Sequence, residues 1–176
     1  FYHMSLRAVE SVAETLGFDI YWAIGEEAGL NHELWRKQKQ LYTGEGNLGE
    51  RQHHVYHTLL EQYDTVFLGG SDTPQIHQQI FDMAQGALKN HEYVIGPATD
   101  GGYYLFGGQR PVEKKIWLQT PWSADNTCEA FVSQLPSPCY KLPSLTDVDY
   151  KQDLFSIVDE MPEKTTQEQA ALSPWI

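Results

Sequence analysis

The sequence VFLGGSDTP, residues Val66–Pro74, decides the fold expected for this chain. Its first three residues are apolar, as in a strand buried inside a parallel sheet. Two glycines allow a sharp turn, and Ser71, Asp72 and Thr73 then follow the carboxyl end of the strand. Ligands of open α/β sheets bind at such ends, and an aspartate there suits a divalent cation. Asp72 is therefore predicted either to bind a metal or to cap the next helix.

Length and charge restrict the class of protein. The 176 residues are enough for one domain with a substantial core. A formal charge of −12 disfavours nucleic acid or an anionic membrane as a partner, and a bound polyphosphate would need local cations or a metal. No apolar run is long enough for a membrane helix. Without a recognisable signal peptide or a C-x-x-C motif, Cys128 and Cys139 indicate a cytoplasmic thiol protein.

Helical and strand-like patterns alternate along the chain, which predicts an α/β fold with a largely parallel sheet. The predicted helices cover residues 5–16, 48–62, 74–90, 124–135 and 151–159, and the predicted strands lie within residues 19–25, 66–68, 93–96, 98–108 and 140–142. Residues 1–160 are expected to form the single domain. Residues 161–176 are expected to be a loosely held tail, on which Trp175 and Ile176 could dock.

Two further acidic segments carry side chains suited to chemistry. Asp100 precedes Gly101 and Gly102, which would let the backbone approach a ligand, although Asp-Gly is also a strong hairpin signal. Asp147 and Asp149 point the same way on an extended segment, which suits a metal or ligand hydroxyls. The alternative for this pair is an aspartate that caps the last helix.

Residues 44–51, GEGNLGER, place glycines before a predicted helix. Such a pattern suits anion or base binding at a helix N-terminus, but it matches no standard phosphate-binding motif. His53 and His57 lie four residues apart on that helix and could bind zinc. A solvated helix face is the simpler interpretation of the two histidines.

Taken in order, these segments resemble a known family. The segments are GSDTP at 70–74, GPATDGGYYLFG at 96–107, PWS at 121–123 and DVDYKQDL at 147–154, and GNLGERQ at 46–52 matches the family's GDLGERM. The chain resembles a family of largely uncharacterised bacterial transferases in the nucleotide-diphospho-sugar transferase superfamily. The resemblance implies a three-layer α/β/α, glycosyltransferase-A-like (Rossmann-like) fold with a mostly parallel mixed sheet.

The resemblance also implies roles for individual residues. Asp72 would bind the metal, with Asp147 or Asp149 as a second acid at the opposite lip of the site. Asp100 would be a base or an acceptor-orienting group. The residues implied beside the nucleotide are Gly46, Leu48, Gly49 and Arg51, and those implied on the sugar or acceptor side are Gly101, Gly102, Tyr103, Trp122 and Ser123.

The function that follows is a metal-dependent transferase that acts on a nucleotide-diphosphate sugar. Mg²⁺ or Mn²⁺ would neutralise the pyrophosphate leaving group as a Lewis acid. A pyrophosphate-releasing nucleotidyltransferase of the same fold is one alternative, and a non-catalytic nucleotide-binding or partner-binding module is another. The resemblance specifies neither the base, the sugar and the acceptor nor the oligomeric state.

Family members begin with a strand and a basic phosphate-binding loop that this sequence does not contain. Phe1 would already lie in the helix after that loop. Removing a central strand would leave unpaired backbone groups on its neighbours, at a cost of roughly 1–3 kcal/mol for each buried group. We therefore predict that about 25–40 residues, the length of one βα unit with its loop, precede Phe1 in the natural protein, or that another segment fills the place of the strand.

Overall fold

The computed structural model describes residues 1–175, in which helices and strands alternate. The helices are α1 (Tyr2–Thr15), α2 (Leu48–Leu60), α3 (Gln78–Ala87), α4 (Lys114–Gln119), α5 (Thr127–Ser133), α6 (Asp153–Glu160) and α7 (Gln167–Ala170). The strands are β1 (Tyr21–Ile24), β2 (Lys39–Tyr42), β3 (Val66–Gly69), β4 (Tyr93–Pro97), β5 (Tyr103–Gly108) and β6 (Cys139–Lys141). Not one helix in residues 1–175 combines the length and apolar character needed to cross a membrane.

The strands form a mixed arrangement in two parts. β1 and β2 pair in parallel, and the remaining strands form a sheet of order β3-β5-β4-β6. β5 is antiparallel to β3 and β4, whereas β4 and β6 are parallel. β3, β4 and β6 therefore run in one direction, and their carboxyl ends lie at the same edge. This topology confirms the predicted α/β class with a mixed sheet.

The two faces of the larger sheet are covered by different helices, which gives the three predicted layers. Along β4, Tyr93 and Ile95 belong to one buried cluster with Trp117 of α4, while Val94 belongs to another with Ile80 of α3. Successive side chains of a strand point to opposite faces, so this alternation requires apolar cover on both sides. The three β4 residues, together with Trp117 and Ile80, are each at most 5% exposed.

A cleft of about 1090 Å³ separates β1 from β3. Both strands line it along their whole lengths, together with residues of α1 and α2 such as Leu6 and Val55. Within residues 1–175, β1 pairs only with β2, and β3 pairs only with β5. Each strand therefore presents a free backbone edge at the cleft. An additional strand before Phe1 stays a prediction, and this cleft is where such a strand would fit.

Several predicted boundaries were wrong. α3 begins at Gln78 rather than Pro74, because Gln169 Nε2 donates to the carbonyl oxygens of Pro74 and Ile76, both at 2.9 Å, and turns this segment away from helical geometry. The helix predicted at 124–135 is shorter: it spans Thr127–Ser133, and its N-cap is Asn126. The short β2 and α4 were not predicted.

The sequence had suggested that the segment after Met161 is loosely held, but in the structure this segment packs against the rest of the domain. α7 packs against α1, where the hydroxyls of Ser11 and Thr166 lie 2.7 Å apart. Leu172 is fully buried. Trp175 is 55% exposed, and Ile176 lies outside the described residues. The tail therefore contributes to the packing of the domain.

Candidate functional site: an acidic pocket at the sheet edge

Three acidic loops meet where the co-directional strands end. Asp72 follows β3, Asp100 follows β4, and Asp147 and Asp149 follow β6. The loops are joined by backbone contacts: the amide of Val148 donates to the carbonyl of Asp72 at 2.9 Å, and the loops after β4 and β6 form a parallel bridge. The common strand direction thus brings distant aspartates to one place, as open α/β sheets do with their ligand sites.

The carboxylates of Asp100, Asp147 and Asp149 form the core of the site. One oxygen from each lies within 4.8 Å of the others, a spacing that could hold a metal ion. Asp147 is half-buried, whereas the other two are exposed. They line a pocket of about 290 Å³ together with Thr99, Thr146, Tyr150 and Asp153. We call this set the acidic pocket.

Asp72 lies beside the acidic pocket but outside the three-carboxylate group. Asp72 also lines the large cleft between β1 and β3. Burial raises the pKa of the Asp72 carboxyl, and the nearby charges of Asp149 and Asp100 raise it further. Asp72 is therefore close enough to share the electrostatic field of the acidic group.

Repulsion and burial disfavour the ionised form of Asp147. Burial, and then the charge of Asp100, raise the pKa of Asp147 to about 6. A bound cation would relieve both effects, because it stabilises the charged carboxylates. A donor set made only of carboxylate oxygens fits Mg²⁺ or Mn²⁺ better than softer metals.

Helix capping does not explain the acids of the first and third loops. The N-cap of α3 is His77, so Asp72 caps no helix. At the start of α6, the side chain that binds backbone amides is that of Asp153. Its Oδ2 accepts from the amides of Asp149 and Tyr150, at 3.1 and 2.7 Å. The capping alternatives for Asp72, Asp147 and Asp149 are therefore wrong.

Asp100, in contrast, does belong to a turn. Its Oδ1 accepts from the amide of Gly102 at 2.7 Å, in the hairpin that joins β4 to β5. Gly101 has φ +95, and a Cβ there would overlap the carbonyl of Asp125. The hairpin alternative is confirmed, and the same aspartate also points a carboxylate oxygen toward Asp147 and Asp149.

Arg51 ties the glycine loop to β1. Its Nη1 donates to the carbonyl of Gly25 at 2.6 Å, and its Nε donates to the carbonyl of Gly46 at 2.9 Å. Asn47 and Glu50 form a capping box at the start of α2. These contacts give the loop a structural explanation, while Leu48 and Arg51 still line the large cleft.

Packing accounts for Gly49, which was expected beside the nucleotide, and for Tyr103 and Trp122, which were expected near the sugar. A Cβ at Gly49 would overlap the Trp117 carbonyl and Trp122 Nε1, which are themselves hydrogen-bonded at 2.7 Å. Tyr103 packs against the same aromatic cluster, and its hydroxyl donates to Gln52. None of these side chains lines the acidic pocket in the described part of the chain. Ser123 is exposed in a turn at φ 60 and does not line it either.

The histidines of α2 lie apart from this site. The rings of His53 and His57 are 5.5 Å apart, and burial lowers the pKa of His53. Over residues 1–175, Asp100, Asp147 and Asp149 are the group of three side chains with metal-ligand spacing, and it contains no histidine. The solvated-face interpretation of the two histidines therefore fits the structure better than a zinc site.

The comparisons with known proteins agree with this architecture. The family described as "Uncharacterized protein conserved in bacteria (DUF2064)" matches residues 12–124. The chain belongs to this family. The matched region contains Asp72 and Asp100, whereas Asp147 and Asp149 lie beyond it.

A similar crystal structure comes from Desulfovibrio desulfuricans G20 and is named a "putative nucleotide-diphospho-sugar transferase". The two structures superpose with a TM-score of 0.83 at 22% sequence identity, over 98% of this chain and 80% of the other. The likeness shows that this chain has the fold of that protein. No curated protein matches the sequence significantly.

Sequence reasoning missed several residues of the site. Thr99 and Thr146 both line the acidic pocket, and each directly precedes an aspartate, so the repeated Thr-Asp pair was an available signal. In the sequence, Asp153 was noted only as part of the segment DVDYKQDL at 147–154. Glu160, which accepts from the amide of Thr146 at 2.8 Å, had no local signal, because it lies one helix further along the chain.

Proposed function

We propose that this protein is a metal-dependent transferase that acts on a nucleotide-diphosphate sugar. The observation that carries the proposal is the grouping of Asp100, Asp147 and Asp149 at the carboxyl edge of β4 and β6. The fold shared with the Desulfovibrio protein supports the substrate class. A pocket of about 290 Å³ beside a much larger cleft gives room for a metal-bound diphosphate.

The charge of the lining favours a metal-dependent reaction. Among the described residues that line the acidic pocket and the large cleft, Arg51 supplies the one Lys or Arg side chain. Its guanidinium already donates to the carbonyls of Gly25 and Gly46. A diphosphate near Asp147 would therefore depend on a bound cation to offset the carboxylate charges.

Asp100, Asp147 and Asp149 would hold Mg²⁺ or Mn²⁺, which would supply Lewis-acid stabilisation of the leaving diphosphate. Asp72 would add negative charge beside them. Asp153 keeps the third loop in shape through the amides of Asp149 and Tyr150. In this proposal Asp100 takes the place of Asp72 in the sequence-based metal set of Asp72, Asp147 and Asp149.

The role of Asp100 separates two versions of the mechanism. Its Oδ1 accepts from the Gly102 amide, and one oxygen of the same carboxylate lies within 4.8 Å of carboxylate oxygens of Asp147 and Asp149. That oxygen could bind the cation, or it could orient or deprotonate the acceptor, as the sequence suggested. Loss of general-base catalysis costs about 10²–10⁴-fold in rate. Asp100→Asn should therefore lower the rate at saturating metal if Asp100 is the base, and lower metal affinity if it is a ligand.

A screen of nucleotides and nucleotide sugars by thermal shift, each with and without Mn²⁺, tests the proposal. A ligand at about 100 times its dissociation constant should add ~2.7 kcal/mol of stability. We expect the stabilisation to require Mn²⁺ and to be reduced in Asp147→Asn. Equal nucleotide binding with and without metal would contradict the proposal.

Analysis of the products then distinguishes the reactions. Free nucleoside diphosphate would support glycosyl transfer, whereas pyrophosphate would identify a nucleotidyltransferase. Binding without turnover would favour a nucleotide-binding module.

Cys128 and Cys139 are both free thiols, which supports the cytoplasmic location expected from the sequence.

A further inference from the structure

Two side chains outside the acidic group, Gln75 and Glu160, hold the loop that carries Asp147. Glu160 Oε2 accepts from the amide of Thr146 at 2.8 Å, and Oε1 accepts from its hydroxyl at 2.7 Å. Gln75 Nε2 donates to the carbonyl of Thr146 at 2.5 Å and to Glu160 Oε2 at 2.7 Å. Every backbone and side-chain polar group of Thr146 is thus engaged by this pair.

The pair is built into the fold. Gln75 is fully buried in the loop that follows Asp72, and both partners of its Nε2 are acceptors, which fixes the orientation of its amide. Glu160 is the last residue of α6. It forms no ion pair with a Lys or Arg in residues 1–175, and its carboxylate is met instead by three donors. An acceptor-only group suits that set of donors.

Asp147 is consequently fixed on both sides. The residue before it, Thr146, is held by Gln75 and Glu160, and the residue after it donates its amide to the carbonyl of Asp72 at 2.9 Å. A short extended segment fixed at both ends leaves its central side chain little freedom to move away from the pocket. Outer contacts of this kind orient metal ligands in proteins.

We propose that Gln75 and Glu160 are positioning residues of the acidic pocket, which hold the Asp147 carboxylate at metal-binding distance from Asp100 and Asp149. This inference rests on the proposed metal site. It assigns to the last residue of α6 a part in the site that no sequence motif indicated. The pair acts through Thr146 and touches neither the metal nor the substrate.

Three variants separate positioning from charge. Glu160→Ala removes both the contacts and the charge. Glu160→Gln removes the charge but keeps an amide oxygen for the two N–H donors, while the Thr146 hydroxyl can turn to accept from its NH₂ group. Asp159→Asn removes an exposed charge next to Glu160 in the same helix and is the matched control.

Mn²⁺ affinity by isothermal titration calorimetry is the first measurement, with circular dichroism to confirm that each variant is folded. We expect Glu160→Ala to bind Mn²⁺ about 10–100-fold more weakly than wild type. Glu160→Gln and Asp159→Asn should stay close to wild type. Unchanged affinity in folded Glu160→Ala, or equal losses in Glu160→Ala and Glu160→Gln, would overturn the positioning role.

Hydrogen exchange of the Val148 amide is the second measurement, and it needs no metal. Its bond to the Asp72 carbonyl reports whether the loop keeps its place. Exchange should accelerate in Glu160→Ala but not in Glu160→Gln, and unchanged exchange in Glu160→Ala would overturn the inference. A wild-type protein without Mn²⁺ affinity would contradict the proposed function, and the exchange result would then decide the positioning role by itself.

Discussion

The amide of Val148 donates a 2.9 Å hydrogen bond to the carbonyl oxygen of Asp72, across 76 positions of sequence. This contact joins the loop after β3 to the loop after β6. It keeps Asp72 near enough for its charge to help raise the pKa of Asp147, although the two residues lie on different loops. The acidic pocket is therefore one structural unit, and changes in either loop should be felt in the other.

The raised pKa of Asp147, about 6, predicts a pH dependence of stability. The unfolded-state pKa of an aspartate is about 3.9, so the folded state binds this proton more tightly. The free energy of unfolding of the metal-free protein should then rise as the pH falls from about 7 to about 5. Thermal unfolding across that range measures it. Asp147→Asn should show a smaller rise, and an identical rise in the variant would contradict the assignment.

Arg51→Ala should destabilise the fold. The guanidinium donates to the carbonyls of Gly25 and Gly46, and hydrogen bonds of charged groups contribute about 1.5–3 kcal/mol. Urea unfolding should show a loss of about 1–3 kcal/mol, since the side chain is only half-buried. Arg51→Lys keeps the charge without the planar fork and should recover only part of the loss. Unchanged stability with weaker nucleotide binding would instead identify a ligand contact.

Gly49→Ala should be destabilising because α2 and α4 are in close contact there. A Cβ at Gly49 would overlap the Trp117 carbonyl and Trp122 Nε1. Overpacking of this kind costs about 1–3 kcal/mol. Gly86→Ala in α3 is the matched control, since a Cβ at this position would have no atom within 4 Å. This substitution should stabilise the fold by about 0.5–1 kcal/mol. Equal unfolding free energies for the two variants would disprove the packing explanation.

The cleft between β1 and β3 predicts that an added strand will stabilise the domain. Ser5 of α1 donates to the carbonyl of Ser71 at 2.6 Å, so α1 begins near the carboxyl end of β3. A strand parallel to β3 would thus end close to Phe1. An apolar strand and turn fused before Phe1 should raise the melting temperature, whereas a Gly/Ser extension of equal length should not. Equal melting temperatures would show that the cleft takes no strand.

Part of this structure could be predicted from local sequence. Apolar runs that end in Gly-Gly or Asp-Gly mark the ends of β3 and β4, and the parallel direction of those strands brings Asp72 and Asp100 to one edge. β2 escaped prediction because Lys39–Tyr42 is only four residues long, and its two polar residues followed by two apolar ones show no strand-like alternation. Such a strand is defined by its pairing with β1 rather than by its own pattern.

Other features depend on tertiary contacts that no local pattern records. The late start of α3 follows from the amide of Gln169, which lies more than 90 positions away. Glu160 reaches Thr146 only because α6 folds back on the third loop. The packing of Gly49 and the loop contacts of Arg51 likewise depend on which neighbours the fold supplies, whereas the sequence pattern had suggested a place beside the nucleotide.

Titration of the protein with Mn²⁺ by calorimetry tests the central claim most directly. Wild type should bind one Mn²⁺ saturably, and Asp147→Asn should bind at least about tenfold more weakly, since even outer-shell changes cost that much. Asp72→Asn, outside the three-carboxylate group, should weaken binding less, and the surface variant Asp159→Asn should not weaken it. Absence of saturable binding, or equal affinity in wild type and Asp147→Asn, would contradict the metal site.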